Sequence, residues 1–247
     1  EGVRLTPARK KVLELLEQTP CASLKELCYY AGTTRQTLDK MEKAGLLCYY
    51  GRQVFRSPYA DREEEKPIPV TLNPSQQQAL DGLWEQWQRG EGSALLYGVT
   101  GSGKSQVYLK LAEQVRAQGK GVIILVPEIS LTPQTVRLFR SRFGQRVAVL
   151  HSGLTMAERA DEYRRIQQGL ADVVVGTRSA VFAPLEKIGL IVIDEEQEGA
   201  YASQQSPRYH ARDIARARCH RHQALLLLAS ATPSVETFYQ AQRGRIR

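Results

Sequence analysis

The residues Gly98-Val99-Thr100-Gly101-Ser102-Gly103-Lys104-Ser105 fit the spacing GxxxxGK[ST]. The chemistry this spacing allows is phosphate binding. Glycines let successive backbone N–H groups turn inward around an anion, and a helix opening at Ser105 adds its positive end. Lys104 would reach the outer phosphates of a nucleotide, and Ser105 would offer its hydroxyl to Mg2+. A second candidate is the apolar run Leu190–Ile193 that ends in Asp194, Glu195 and Glu196. Asp194 at a strand's end could hold Mg2+, directly or through water, and Glu195 could orient and deprotonate an attacking water. Glu196 is the alternative base. Taken alone, such a run also fits a strand closing in a solvated acidic turn. The phosphate-binding spacing upstream favours the catalytic reading.

Both motifs need strands behind them. The apolar runs Ala94–Tyr97, Val122–Val126, Val147–Leu150, Val173–Val175, Leu190–Ile193 and Leu225–Ala229 alternate with helical stretches such as Gln106–Gln118 and Ala157–Gln168. Several runs are apolar throughout, which suggests strands covered on both faces, as in a parallel sheet. Strand and helix in alternation predict an α/β fold with a doubly wound parallel sheet. The phosphate-binding spacing follows the first strand and opens the next helix, the context it requires.

The first sixty residues read differently. Helical stretches begin at Thr6-Pro7, at Ser23 (with Glu26 at capping-box spacing) and at Thr34, and each signal is a known helix start. Leu46–Tyr50 and Gln53–Arg56 read as a hairpin joined at Gly51-Arg52. Helix, helix–turn–helix and hairpin make the winged-helix pattern, so the expected organisation is a winged-helix domain over 1–60, a linker over 61–71 and an α/β domain over 72–247. Residues 1–60 hold ten Lys/Arg against six Asp/Glu, half of the chain's net charge of +8. Duplex DNA would be met by Arg35, Lys40 and Lys43 on the third helix and Arg52 in the wing. The other reading is a packing module with those charges solvated.

Composition narrows the class. The chain of 247 residues is 42% hydrophobic and 24% charged, ordinary for a globular protein. It has no apolar run long enough to span a membrane. Its four cysteines, Cys21, Cys28, Cys48 and Cys219, form no CxxC pair, so neither a zinc site nor a disulfide framework is expected and a reducing, cytoplasmic setting fits. A sequence pI near 9.4 favours an acidic partner such as nucleic acid.

Three shorter stretches complete the pattern: Leu72–Gln76 at a helix start, Gly176-Thr177-Arg178-Ser179 after one strand, and Ser230-Ala231-Thr232 after another. In order, GVTGSGKS, VPEISLTPQT, LHSGL, GTRSAVFAP, IVIDEE, RYHARD and SATP resemble the successive signatures of superfamily 2 helicases, and within them of the replication-restart DNA helicases. The resemblance covers nearly all of the chain and implies a RecA-like first helicase lobe. It implies that Gln76 contacts adenine, that Lys104 and Ser105 bind phosphate and Mg2+, and that Asp194 and Glu195 serve metal and water. It places Arg178 near the DNA-strand groove and makes Ser230 and Thr232 couple nucleotide state to movement. The stretch Glu198–Tyr209 matches an aromatic-rich loop that senses single-stranded DNA, with Tyr201, Arg208, Tyr209 and His210 as contributors; the other reading is a surface loop with Tyr209 packed.

The activity so implied is ATP-dependent 3′-to-5′ DNA unwinding or translocation at stalled or branched forks, with replication restarted by primosome assembly. ATP and Mg2+ are the implied cofactors. DNA forks, single-stranded DNA, the single-stranded-DNA-binding protein and other primosome proteins are the implied partners, in a bacterial cytoplasm and away from the membrane. The family's second motor lobe and cysteine-rich zinc segment have no counterpart in these residues, so little turnover is expected of this piece alone. One departure stands out: Gln197 occupies the place where the family's acidic motif usually has His. Gln keeps the hydrogen bonding and loses the titrating ring. Two other classes fit parts of the pattern: a small-molecule kinase or other P-loop phosphotransferase, and a nucleotide-gated winged-helix DNA-binding regulator. The first gives no reason for GTRSA and SATP, and the second would bind a defined palindrome where a restart motor prefers branched structure.

Overall fold

Residues 6–18, 22–51, 71–90 and 92–247 are described in the computed structural model. The chain divides into two units, Glu1–Val54 and Phe55–Arg247. The smaller holds helices α1 (Pro7–Gln18), α2 (Leu24–Tyr30) and α3 (Arg35–Lys43). The Ser23 signal is realised as a capping box: the Ser23 N–H donates to Glu26 Oε2 at 2.8 Å, and the Glu26 N–H donates to Ser23 Oγ at 3.2 Å. Val12, Leu27, Ala31, Leu38 and Met41 form its core, while Arg35, Lys40 and Lys43 are exposed.

Leu46–Tyr50, expected as a strand, is irregular. The Tyr49 N–H donates to Glu42 Oε1 at 3.3 Å and its hydroxyl to Asp39 Oδ1 at 3.0 Å. A backbone N–H given to a side chain is unavailable to a ladder, so the segment is strapped to α3 instead. The second half of the expected hairpin, Gln53–Arg56, lies outside the described residues, as do Arg52 and all of the expected linker except Thr71.

In the larger unit the apolar runs become six strands: β1 (Ser93–Tyr97), β2 (Gly121–Leu125), β3 (Val147–Leu150), β4 (Val173–Gly176), β5 (Ile188–Asp194) and β6 (Leu225–Ser230). They form one sheet in the order β1-β6-β5-β2-β4-β3, and every pairing is parallel. All residues of β2, β3, β4 and β6 are buried, which explains why their sequences do not alternate: each face needs apolar side chains. One face carries Val122, Ile124, Leu190, Val192, Leu225 and Leu227 against residues of α4 (Pro74–Gln88), α5 (Lys104–Ala117) and α6 (Pro133–Phe143). The other carries Ile123, Leu125, Ile191, Ile193, Leu226 and Leu228 against residues of α7 (Met156–Gln167) and α8 (Ala211–His222). Helix α9 (Val235–Gln242) follows β6, and Phe238 on it meets Tyr97 of β1 edge to face.

Parallel strands all end at the same edge, so the loops that follow them gather there. The strand order divides these loops into two groups. Those after β1, β6 and β5 carry GVTGSGKS, SATP and the acidic run. Those after β2, β4 and β3 carry VPEISL, GTRSA and LHSGL. Gly176 at the end of β4 has to be glycine, because a Cβ there would strike the Leu150 carbonyl and come within 2.6 Å of the Ala180 Cβ. This close passage lets the short 3-10 turn Arg178–Phe182 leave the strand. Among the described residues, no helix is long and apolar enough to cross a membrane.

Candidate active site

The phosphate-binding spacing forms a loop between β1 and α5. Gly101 and Gly103 have φ of 79° and 81°, values that L side chains rarely adopt. Gly103 is doubly constrained, since a Cβ there would run into the Gln76 amide. Gln76 holds the loop from outside: its Nε2 donates to the Ser102 carbonyl at 2.9 Å, while its Oε1 accepts the Asn73 N–H at 2.9 Å. The Gln76 amide therefore serves as a brace between the start of α4 and the loop. Lys104 Nζ donates to the carbonyls of Gly98 at 2.7 Å and Val99 at 3.2 Å, which keeps the ammonium over the loop's opening.

Asp194 ends β5 and is largely buried. Burial pushes its carboxyl above the usual range, the Glu195 charge adds to this, and the Tyr108 hydroxyl and the Lys104 charge work against it. The Tyr108 hydroxyl donates to Asp194 Oδ2 at 3.0 Å, and Asp194 Oδ1 accepts the Glu195 N–H at 3.1 Å. Burial and the Asp194 charge push the pKa of the Tyr108 hydroxyl up. Ser105, the other residue expected to face Mg2+, lies three residues before Tyr108 on α5. A hydroxyl and a carboxylate are hard oxygen donors, and Mg2+ takes one or two carboxylates together with substrate phosphates, so this donor set fits that ion.

Glu195 sits at φ 46°, a left-handed backbone that costs a non-glycine residue of order 1–2 kcal/mol. This turn at the strand's end sends the three carboxylates in different directions. Glu195 Oε2 accepts from Gln197 Nε2 at 2.9 Å, Gln197 Oε1 accepts from Ser230 Oγ at 2.5 Å, and Ser230 Oγ accepts the Thr232 N–H at 2.9 Å. Gln197 therefore joins the candidate base to the loop after β6, with a donor on one side and an acceptor on the other. Ser230 is fully buried, and its carbonyl accepts the Gly98 N–H at 3.3 Å. The three loops are one hydrogen-bonded assembly.

Glu196, the alternative base, is excluded from that role. Its side chain has no exposure and is saturated: it accepts from the Ser234 N–H at 2.6 Å, Thr237 Oγ1 at 3.1 Å and Arg212 at 3.2 Å. Arg212 also donates to Ser234 Oγ and Thr237 Oγ1 at 3.2 and 3.0 Å. Glu196 ties β5 to α8 and α9.

Tyr201 was expected on a nucleic-acid surface and is instead 1% exposed. Its hydroxyl donates to the backbone carbonyls of Asp194 at 2.6 Å and Leu125 at 3.2 Å, so it fixes the end of β5 from behind. Burial drives its ionisation upward. The rest of the loop is outside the core. Arg208 is exposed, and Tyr209 packs edge to face on Phe182, with ring centroids 5.1 Å apart. The loop is pinned at its base by the Ser203 N–H donating to the Tyr209 carbonyl at 2.7 Å and by an antiparallel bridge between Ala202 and His210. Arg178 joins it: the guanidinium donates to the Ala202 carbonyl at 2.7 Å and lies 5.7 Å from the centre of the Tyr209 ring. His210 caps α8, its Nδ1 accepting the Arg212 N–H at 3.1 Å, and burial lowers its pKa. In the neighbouring loops, Ser152 Oγ donates to the Glu128 carboxylate, which joins LHSGL to VPEISL.

Sequence reasoning missed Tyr108, Arg212 and the structural use of Glu196. Tyr108 left one signal, its place three residues after Ser105 and so on the same helix face.

A model of the family described as DEAD/DEAH box helicase matches residues 73–241. The replication restart protein PriA of Bacillus subtilis (strain 168) is 45% identical over 220 residues, which are 89% of this chain and 27% of that protein. PriA of Chlamydia pneumoniae is 36% identical over 249 residues, 98% of this chain and 33% of the relative. The chain thus spans between a quarter and a third of the length of these relatives. Among solved structures, RecG bound to a three-way DNA junction matches with a TM-score of 0.54 and 23% identity, over 72% of this chain and 23% of that one. That likeness is one of fold.

Proposed function

The chain belongs to the DEAD/DEAH box helicase family, and from that premise we propose that it is the nucleotide-binding lobe of an ATP-dependent, replication-restart DNA helicase, preceded by a winged-helix DNA-binding domain. The observation that carries this reading is the meeting of three loops at the ends of adjacent parallel strands, in the order β1-β6-β5. The backbone N–H groups at Gly101, Gly103 and Lys104 and the Lys104 ammonium would hold the phosphates. Ser105 and Asp194 would hold Mg2+, which when bound neutralises phosphate charge. Glu195 accepts a proton from the attacking water, and Gln197 orients it. Ser230 and Thr232 feel any movement of Glu195 through Gln197, which gives hydrolysis a mechanical outlet.

The second group of loops, together with the Glu198–Tyr209 segment that follows β5, suits a nucleic-acid strand. Arg178, Arg208 and Tyr209 offer cationic and aromatic contacts to single-stranded DNA. On the smaller unit, Arg35, Lys40, Lys43 and Arg52 would meet duplex phosphates near a fork. Unwinding with 3′-to-5′ polarity, single-stranded-DNA-binding protein and primosome proteins as partners, and a bacterial cytoplasmic setting complete the reading. Its test is nucleotide trapping: the chain and its Glu195→Gln variant are incubated with Mg2+ and ATP, and the bound nucleotide is identified by chromatography. The variant retains ATP and the unaltered chain slowly accumulates ADP, with turnover below about 1 s−1, the low end for enzymes. ADP accumulating equally in Glu195→Gln would move the base elsewhere, and no retained nucleotide in either would end the reading.

A further inference from the structure

We propose that Tyr108 is a positioning residue for the metal–phosphate site, its phenol holding the Asp194 carboxylate in the one arrangement that accepts Mg2+ together with a nucleotide. This rests on the nucleotide site proposed above. Tyr108 lies on α5, one turn beyond Ser105, and is 3% exposed. Its hydroxyl reaches from α5 to the end of β5, donating to Asp194 Oδ2 at 3.0 Å. Asp194 Oδ1 is taken by the Glu195 N–H at 3.1 Å. Each Asp194 oxygen thus has one fixed donor, and the carboxylate cannot rotate without losing both. An oxygen keeps further lone pairs after accepting one bond, so the arrangement aims the carboxylate without consuming it. Mg2+ demands near-ideal geometry, so a freely rotating carboxylate would bind it less well than a fixed one.

The phenol is also placed to couple two elements that come from distant parts of the chain. Ser105 moves with α5, and Asp194 moves with β5. The bond from Tyr108 on α5 to Asp194 keeps the carboxylate in one place relative to that helix whether or not phosphates are bound. Phenylalanine fills the same space but lacks the hydroxyl, so it leaves packing intact and frees the Asp194 carboxylate.

The experiment measures the affinity of the full 247-residue chain for a fluorescent ADP analogue, once with Mg2+ and once with excess EDTA. With Mg2+, Tyr108→Phe raises Kd on the order of tenfold, the scale of one hydrogen bond to a charged group. In EDTA the two proteins bind alike. Equal losses with and without Mg2+ would make Tyr108 a packing residue, and so would a variant that fails to fold by circular dichroism; either result overturns the proposal. An unchanged Kd in Mg2+ also overturns it while leaving the nucleotide site standing. Absence of nucleotide binding by the unaltered chain would instead remove the site on which it rests.

Discussion

Glu195 and Glu196 are chemically identical neighbours with separate jobs, and replacing each in turn distinguishes them. The Glu196 carboxylate is wholly buried and accepts from the Ser234 backbone, Thr237 and Arg212. Glu196→Ala leaves the Ser234 N–H without its acceptor and the Arg212 guanidinium without its counter-charge. Breaking a buried ion pair from one side costs about 3–5 kcal/mol. The Arg212 side chain retains 20% exposure, which gives water some access and places the cost near 3 kcal/mol. In a unit of this size each kcal/mol lowers Tm by about 2–4 °C, so the expected drop is roughly 6–12 °C. The chain's two tryptophans, Trp84 and Trp87, both lie in α4 and stack with centroids 4.8 Å apart. Their fluorescence therefore reports thermal unfolding of the larger unit selectively. Glu195→Gln changes a partly exposed side chain bonded to Gln197 alone, and its Tm stays within a degree or two of the unaltered chain. A Glu196→Ala protein melting within 2 °C of the unaltered chain, or a Glu195→Gln protein falling as far as Glu196→Ala, would refute this division of labour.

Other consequences can be measured in the same preparations. Burial raises the Asp194 pKa above its ordinary 3.8, so folding favours the protonated form, and stability is lost as pH rises through the folded value. Asp194→Asn is accordingly more heat-stable than the unaltered chain at pH 7, and the gap closes as pH approaches 3.8 from above; a gap that widens on acidification would contradict the sign. Gln197→His keeps both relay bonds only while the ring is neutral, donating to Glu195 and accepting from Ser230. The pH profile of its ATP turnover, divided by that of the unaltered chain, falls below about pH 6.5, and a flat ratio would show that the acceptor is not needed. On the smaller unit, replacing Arg35, Lys40 and Lys43 by Ala lowers the slope of log K against log salt for fork DNA by up to about 2.7, at 0.9 per phosphate contact; an unchanged slope would make that unit a packing module.

The strands were legible because their residues are apolar on both faces, a signal that needs no knowledge of neighbours. Their ends were less so: β5 begins at Ile188 rather than Leu190, since Gly189 reads as punctuation while its neighbours continue the ladder. The loop Gly98–Gly103 between β1 and α5 and the place of Asp194 at the end of β5 were legible because they lie in contiguous residues next to a strand. Glu196 was not, because Arg212, Ser234 and Thr237 come from elements well downstream. Tyr201 was misread for the same reason. Its place in an aromatic, polar stretch suggests a surface, whereas its hydroxyl closes backbone carbonyls from β2 and β5. Leu46–Tyr50 has strand-forming residues but spends a backbone N–H on Glu42. The connection between Arg178 and the Tyr209 loop could not be read at all, since strand order alone decides which loops become neighbours.

The central claim is that Gly98–Ser105 binds the phosphates of a nucleotide in partnership with Mg2+. Isothermal titration of ADP into the chain, with Mg2+ and with EDTA, tests it most directly when repeated with Lys104→Ala. The expected result is saturable one-to-one binding that tightens with Mg2+ and is abolished in Lys104→Ala, whose Tm without nucleotide matches that of the unaltered chain. Binding of equal strength in the folded Lys104→Ala protein would place the nucleotide elsewhere and contradict the account.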